Sequence, residues 1–388
     1  MRNIKELYHR LTEQTDFDKK YPNLNVDDKK IHLLFVSPCL NSSGYYRAII
    51  PTLELNRTDS HVAIITNIHK WSFNQQLIDY VTPIDNQLIL WADYIILPTL
   101  LENATYLIKA WKAQNKDLQF VMDLDCNLHA LPKQHLDYPR ISLQHKKQLL
   151  SNVSQMDILT GANDGLLDYY DDMIEEYYPD SGVQMEYLPN LVSQFGYQEL
   201  DPLVKNETDT IRIGIVSTGA SHYDVVSIYG VLKEIVEDQE RVELIVFGWN
   251  GKLPGDINAL SNLKFTYQKS VRFLNYFQQL NELALDIALI PTKKIAFNTH
   301  GKSFAKYLEF SVFAIPVVAS DHEPFREIIE DGETGFLVKS PEEWKETIGK
   351  LIEDPELRVK IGKSALKHVW RNYSYTNHTL KAYQELFI

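Results

Sequence analysis

Residues 297–338 read FNTHGKSFAKYLEFSVFAIPVVASDHEPFREIIEDGETGFLV. The stretch breaks into a polar loop, an amphipathic helix, a buried strand, a second helix and a glycine turn. The loop Thr299 to Ser303 stops where a helical pattern begins, and Phe304, Leu308 and Val312 then recur at four-residue spacing, as one helix face should. A loop that opens a helix presents unpaired backbone N–H groups and the positive end of the helix dipole, which favours an anion. Gly301 lets that backbone come close to a ligand, Lys302 adds a full charge, and Ser303 can cap or donate. Glu309 follows nearly two turns on, with Lys306 three residues before it, and residues 316–320 read as a core strand. Two plainer readings stand beside this one. Gly301-Lys302-Ser303 could close a nucleotide-triphosphatase loop, but the first glycine that loop requires is Ala296 here. An ordinary surface helix with a good N-cap has the same local pattern.

The run KSFAKYLEFSVFAIPVVASD, followed by DGETGFLV, resembles the donor-nucleotide motif of the retaining glycosyltransferases of family four, which have the GT-B architecture. The resemblance implies that Glu309 binds the ribose hydroxyls of a nucleotide-sugar donor. Many members carry a second glutamate eight residues earlier, where this chain has Gly301, so the resemblance is to a divergent branch.

Length and composition set the frame. A chain of 388 residues exceeds one ordinary core and suits two domains. Its formal charge of −13, from 39 basic and 52 acidic residues, argues against a general nucleic-acid binder, which must neutralise phosphates. Cys39 and Cys126 cannot make a disulfide framework or a zinc site alone. The N-terminus lacks an apolar signal core and no window reaches bilayer length, so a cytoplasmic protein without a transmembrane segment is expected. Peripheral membrane contact and homo-oligomerisation are both compatible with the sequence.

Along the chain, residues 4–14 form a predicted helix with Ile4, Leu7, Tyr8 and Leu11 on one side. Residues 31–37 are the first strand, a continuous apolar run of the kind that a parallel sheet covered on both faces produces. They lead through a loop containing Gly44 into a helix carrying Arg47, and Gly44-Tyr-Tyr-Arg-Ala-Ile-Ile-Pro resembles the first loop and helix of the same family. Arg47 is a candidate for a diphosphate contact, an exposed ion pair being its plainer reading. Further strands at 61–66, 91–98 and 119–125 alternate with helices. The last ends in Asp123 and Asp125, then Asn127 and His129, a cluster that could bind a hard cation. An acidic, acceptor-facing cleft edge is the reading preferred here, with His129 either on a sugar hydroxyl or a satisfied surface histidine, and no metal is assigned.

Residues 193–210 are largely polar, and beyond them 211–219 is again a buried strand with a glycine turn. Helix 225–237 and strands at 242–247, 263–268 and 287–291 follow. Alternation of this kind predicts α/β architecture, with two Rossmann-like doubly wound parallel sheets facing across a cleft. The expected division is an acceptor-side domain over 1–195, a linker over 196–208, a donor-side domain over 209–370, and a C-terminal helix over 371–388 crossing back to the first domain.

The resemblance implies retaining transfer of a sugar from a nucleotide diphosphate, UDP-linked, to a glycan, protein or other acceptor hydroxyl, as in cell-surface glycan biosynthesis. No cofactor or metal is then needed. Lys302, Lys306, Arg47 and His129 are the candidate catalytic residues. Gly44, Ser217, Thr218, Gly219, His222, Gly301, Ser303 and Glu309 are the candidate donor-binding residues. The family usually supplies an arginine and a lysine after the second domain's first strand, where this chain offers Ser221, His222 and Asp224. The alternative is a catalytically silent subunit of the same architecture that binds a partner enzyme or a glycan.

Overall fold

A computed structural model of the chain describes residues 4–25, 29–37, 41–66, 84–197, 208–217, 222–248 and 265–388, the side chains of 377–379 excepted. Two six-stranded sheets carry the fold, and every strand pairing in them is parallel. The first contains β1 (Ile31–Val36), β2 (His61–Thr66), β3 (Tyr94–Leu97), β4 (Gln119–Leu124), β5 (Ile158–Gly161) and β6 (Gln184–Tyr187), in the order β2-β1-β3-β4-β5-β6. The second contains β7 (Ile211–Val216), β8 (Val242–Phe247), β9 (Phe265–Gln268), β10 (Ile287–Ile290), β11 (Val317–Ser320) and β12 (Phe336–Val338), in the order β12-β11-β10-β7-β8-β9. Strand order therefore reverses between β1 and β3 in one sheet and between β7 and β10 in the other. Such reversals open a crevice at the carboxyl edge, where α/β sheets bind ligands.

The apolar runs behave as their composition requires. Strands β2, β3, β5, β10 and β11 are buried along their whole length, because helices cover both faces. One correction concerns β12, read from sequence as part of a glycine turn. It is three residues long and pairs Val318 with Phe336 and Ser320 with Val338, too short a run to show a strand period. The helix predicted over 225–237 is also broken, into His222–Val226 and Tyr229–Asp238.

The helix of the quoted stretch is Ala305–Ser311, preceded by a helical turn at Ala296–Thr299. Phe304, Leu308 and Val312 are buried as their spacing predicts. Tyr307, Glu309, Phe310 and Ser311 are buried too, so this is an interior helix rather than a half-exposed one.

The N-terminal helix Ile4–Glu13 packs Leu7 and Leu11 into the first domain's core. The last helix, Asn377–Leu386, lies on the first domain as well. There Tyr383 donates to Pro189 O at 3.2 Å, His61 Nε2 donates to Phe387 O at 2.8 Å, and Tyr94 donates to Ile388 O at 2.8 Å. The chain arrives there alongside Val192, whose N–H donates to Tyr373 O and whose carbonyl accepts from Tyr375 N–H. No helix among the described residues is long and apolar enough to cross a membrane.

Candidate active site in the cleft between the domains

Asp224 organises the second domain's side of the cleft. It is buried in the short helix His222–Val226, just beyond β7. Its Oδ1 accepts from the Lys293 backbone N–H at 2.8 Å and from Asn298 Nδ2 at 2.9 Å, and its Oδ2 accepts from Lys302 Nζ at 2.9 Å. The loop after β10 is thereby fixed to the turn after β7, across the strand-order reversal. The Lys302 ammonium lies 5.5 Å from the Phe297 ring centroid and 5.9 Å from that of Tyr223, within cation–π reach of both. His222, which opens Asp224's helix, and Ser217, just past the end of β7, are both buried. Thr218 and Gly219 lie outside the described residues.

Glu309 is 1% exposed. Its Oε2 accepts from Tyr276 Oη at 2.6 Å and from Lys306 Nζ at 2.7 Å, and Lys306 in turn donates to Tyr276 Oη at 3.1 Å. Tyr276 is stacked between Phe247 and Phe273, which fixes its hydroxyl on the carboxylate. Burial, and then the Glu309 charge, raise the Tyr276 pKa well above its ordinary value, so the phenol stays a donor. The other oxygen, Glu309 Oε1, is buried and has no hydrogen-bond partner among the described residues. An ionised carboxylate with one buried oxygen unpaired is a costly arrangement in a folded chain. The plain alternative, an ion pair with Lys306 on a solvated face, matches the pairing but not the burial.

The loop 301–303 faces the first domain. Gly301 O accepts from the Asn127 N–H at 3.2 Å, Lys302 O from Asn163 Nδ2 at 2.8 Å, and Ser303 Oγ from Asn190 Nδ2 at 2.8 Å. A Cβ at Gly301 would stand 2.4 Å from Phe297 O and 2.7 Å from Asn127 Cβ. The glycine expected to admit a ligand thus admits the first domain's backbone. Next to this seam Tyr45 packs against Phe273 and Phe277, with centroids 5.1 and 5.3 Å away, and His135 packs edge-on to Phe297. The cleft is closed around these contacts.

Arg47, expected to face a diphosphate or to lie in an exposed ion pair, does neither. It is buried, and its Nε and Nη2 donate to the two oxygens of Asp123 at 2.8 and 2.6 Å. Its Nη1 donates to Leu188 O and, at 3.1 Å, to Asn190 Oδ1. The physical reason is burial: a desolvated guanidinium must be matched by a carboxylate and carbonyls. Asp123 also accepts from Thr160 Oγ1, so neither partner is open to a cation or a phosphate. Among the described residues, no group of three or more His, Cys, Asp or Glu side chains could hold a metal ion.

Gly44, Arg47, Asp123 and Asp125 line one cavity of about 120 Å³ at the first sheet's carboxyl edge. Gly44 sits in a short helix whose N-cap, Asn41, accepts from the Gly44 N–H at 3.2 Å. His129 lies on the neighbouring turn with Nδ1 2.7 Å from Tyr169 Oη, and burial followed by the Lys146 charge lowers its pKa. It is therefore neutral at neutral pH.

Sequence reasoning named Glu309 and the 301–303 loop, but not Tyr276, Asn163 or the cross-cleft role of Asn190. Residues 188–190 read Leu-Pro-Asn just past a strand, a turn signal from which the last could have been found. Tyr276 had none, since an aromatic in a polar helix reads as ordinary packing.

Residues 203–368 match the family described as Glycosyl transferases group 1. An uncharacterized glycosyltransferase of Methanocaldococcus jannaschii is 29% identical over 154 residues, which are 38% of this chain and 37% of that one. The chain thus spans little more than a third of that relative's length. Among solved structures, the sucrose-phosphate synthase of Thermosynechococcus elongatus superposes with a TM-score of 0.59, at 12% identity over 92% of this chain and 99% of that one. An Anabaena protein solved with UDP and glucose gives 0.54, at 13% identity over 91% and 97%. The fold these likenesses show is the two-domain GT-B arrangement.

Proposed function

We propose that this chain, whose residues 203–368 form a glycosyl transferases group 1 domain within a GT-B fold, transfers a sugar from a UDP-linked donor to an acceptor hydroxyl with retention of configuration. The observation that carries the reading is Glu309: one oxygen held by Tyr276 and Lys306, the other buried without a partner. A vicinal diol such as a ribose supplies the donors that this oxygen lacks. The Anabaena neighbour's bound UDP supports the choice of nucleotide.

In the reaction, the bond between the anomeric carbon and the diphosphate oxygen breaks, and the acceptor oxygen bonds to the same face. The departing phosphate takes the acceptor's proton, so no side-chain base is required. Developing negative charge on the diphosphate is met by the Lys302 ammonium, held in place by Asp224, and by the polar groups of the 301–303 loop. Closure of the domains over that loop excludes water, which would otherwise compete as acceptor.

A silent subunit of the same fold is the second reading. It is favoured by Gly301, which packs on Asn127 where the resembled family places a carboxylate. Calorimetry of UDP, GDP and ADP, followed by release of UDP from UDP-sugars, separates the two. UDP binding with slow donor hydrolysis is the expected result. Binding without turnover of any UDP-sugar leaves the silent subunit, and no nucleotide binding sinks both donor-site assignments.

A further inference from the structure

The cavity at the reversal between β1 and β3 is walled by the ends of β1, β3 and β4 and by the turn that begins at Asn41. Its volume of about 120 Å³ is room for several waters, and so for a small ring bearing hydroxyls. Most of its wall is apolar, and besides Arg47 and Asp123 its polar points are Ser37, Asn41, Ser43, Thr99 and Asp125. One cation is present among its described lining residues, Arg47, and that guanidinium is neutralised by the bidentate pair with Asp123. Asp125 is left as the uncompensated charge. Its Oδ2 accepts from Ser43 Oγ at 2.5 Å, and its Oδ1 has only a long contact to Asn190 Nδ2 at 3.4 Å. A carboxylate has about four acceptor sites, so capacity for further donors remains.

From this cavity we infer that the acceptor is an uncharged polyol, a neutral sugar or cyclitol, and that phosphorylated acceptors are rejected. The inference rests on the glycosyl-transfer reading for the cavity's use, but not for its charge. Hydroxyls donate to Asp125, whereas a phosphate dianion cannot, and it meets a like charge with no free cation in the described wall to offset it. For each unit of like charge about 5 Å away at an effective dielectric near 20, discrimination is on the order of a few hundredfold, so a dianion meets at least that.

The test uses the full chain without donor. Saturation-transfer NMR is recorded with glucose, N-acetylglucosamine and myo-inositol, each in competition with its phosphate ester. At least one neutral compound should bind and should resist displacement by about a tenfold excess of its ester. Asp125→Asn should narrow that gap by roughly tenfold, and so should raised salt on the unaltered protein, which screens the repulsion. Ala48→Trp, which fills the cavity, should remove the neutral signal. An ester that binds as tightly as its parent, a preference that neither Asp125→Asn nor salt moves, or no neutral compound binding at all overturns the inference. Calorimetry of UDP on the same sample reports separately on the donor reading, so the two can fail independently.

Discussion

Asn190, three residues beyond the first sheet's last strand, donates its side-chain amide to Ser303 Oγ of the second domain at 2.8 Å. The Asn163 side-chain amide and the Asn127 backbone N–H donate to the two preceding residues, holding Lys302 O and Gly301 O. Three consecutive residues of one domain are thus each held by an asparagine of the other. The loop that the sequence marks as ligand-facing is also the latch between the domains.

Gly301→Ala should release that latch. The added methyl would meet backbone and Asn127 well inside 3.0 Å, so the domains must part or the loop must shift. Small-angle scattering should show a larger radius of gyration than for the unaltered chain, with the proposed transfer lost and UDP affinity changed by less than about tenfold, since the proposed contacts at Glu309 and Lys302 lie in one domain. An unchanged scattering profile would count against the closed seam.

Glu309→Gln keeps the shape and removes the charge. UDP affinity should fall by about 1.5–3 kcal/mol, the loss expected for hydrogen bonds to a charged acceptor. The melting temperature without ligand should move little, because Lys306 is 35% exposed at its side chain and can be resolvated. Calorimetry decides it, and equal affinity in the two proteins would remove Glu309 from the donor site.

Arg47→Met should destabilise rather than impair nucleotide binding. Removing one member of a buried pair leaves Asp123 charged and partnered mainly by Thr160, at a cost of about 3–5 kcal/mol. Urea unfolding measures this, and Arg47→Met/Asp123→Asn should recover part of the loss. A fall in UDP affinity with normal stability would return Arg47 to the diphosphate.

Acidification should weaken the seam through His135. Burial, then the Lys302 and His222 charges, lower its pKa to about 4, although the Asp137 carboxylate lies 3.8 Å away. The unfolded residue takes its proton near pH 6.5, so between about 6.5 and 4 the unfolded state binds more protons. Stability from this group is therefore complete above pH 6.5 and declines as pH falls toward 4, by at most about 3 kcal/mol. His135→Gln should flatten the pH dependence of the urea midpoint in that window; identical slopes would exclude the residue.

Donor binding should survive EDTA. Of the two carboxylates at the end of β4, Asp123 already accepts from Arg47 and Thr160 and Asp125 from Ser43. Among the described residues no group of three or more His, Cys, Asp or Glu side chains could hold a metal ion. Loss of UDP binding in chelator, restored by magnesium or manganese, would overturn the metal-independent reading.

The two sheets were legible because buried parallel strands write long apolar runs, as at 31–36 and 287–290. β12 was not, since three residues carry no period. Glu309 could be singled out by position and resemblance, yet its burial could not. The pattern at Phe304, Leu308 and Val312 describes one face, while Tyr307 is buried against Thr334 and His368, far away in the chain. Arg47 shows the same limit from the other side. A lone arginine on a helix gives no sign of Asp123, which lies 76 residues on and becomes its partner only when β4 is laid down two strands from β1.

The chain passes between the domains twice, and the return at Tyr373–Tyr375 runs beside Val192, at the point of departure. A return that meets the chain beside Val192 makes a pivot there, not a separate tether. Opening can then proceed by rotation about that pivot, with the greatest travel at the parts of the cleft farthest from it. A small change of backbone angle near residues 192 and 374 becomes a wide movement at the mouth. Under the proposed transfer reaction, stiffening this pivot should alter turnover without touching any group that meets a substrate.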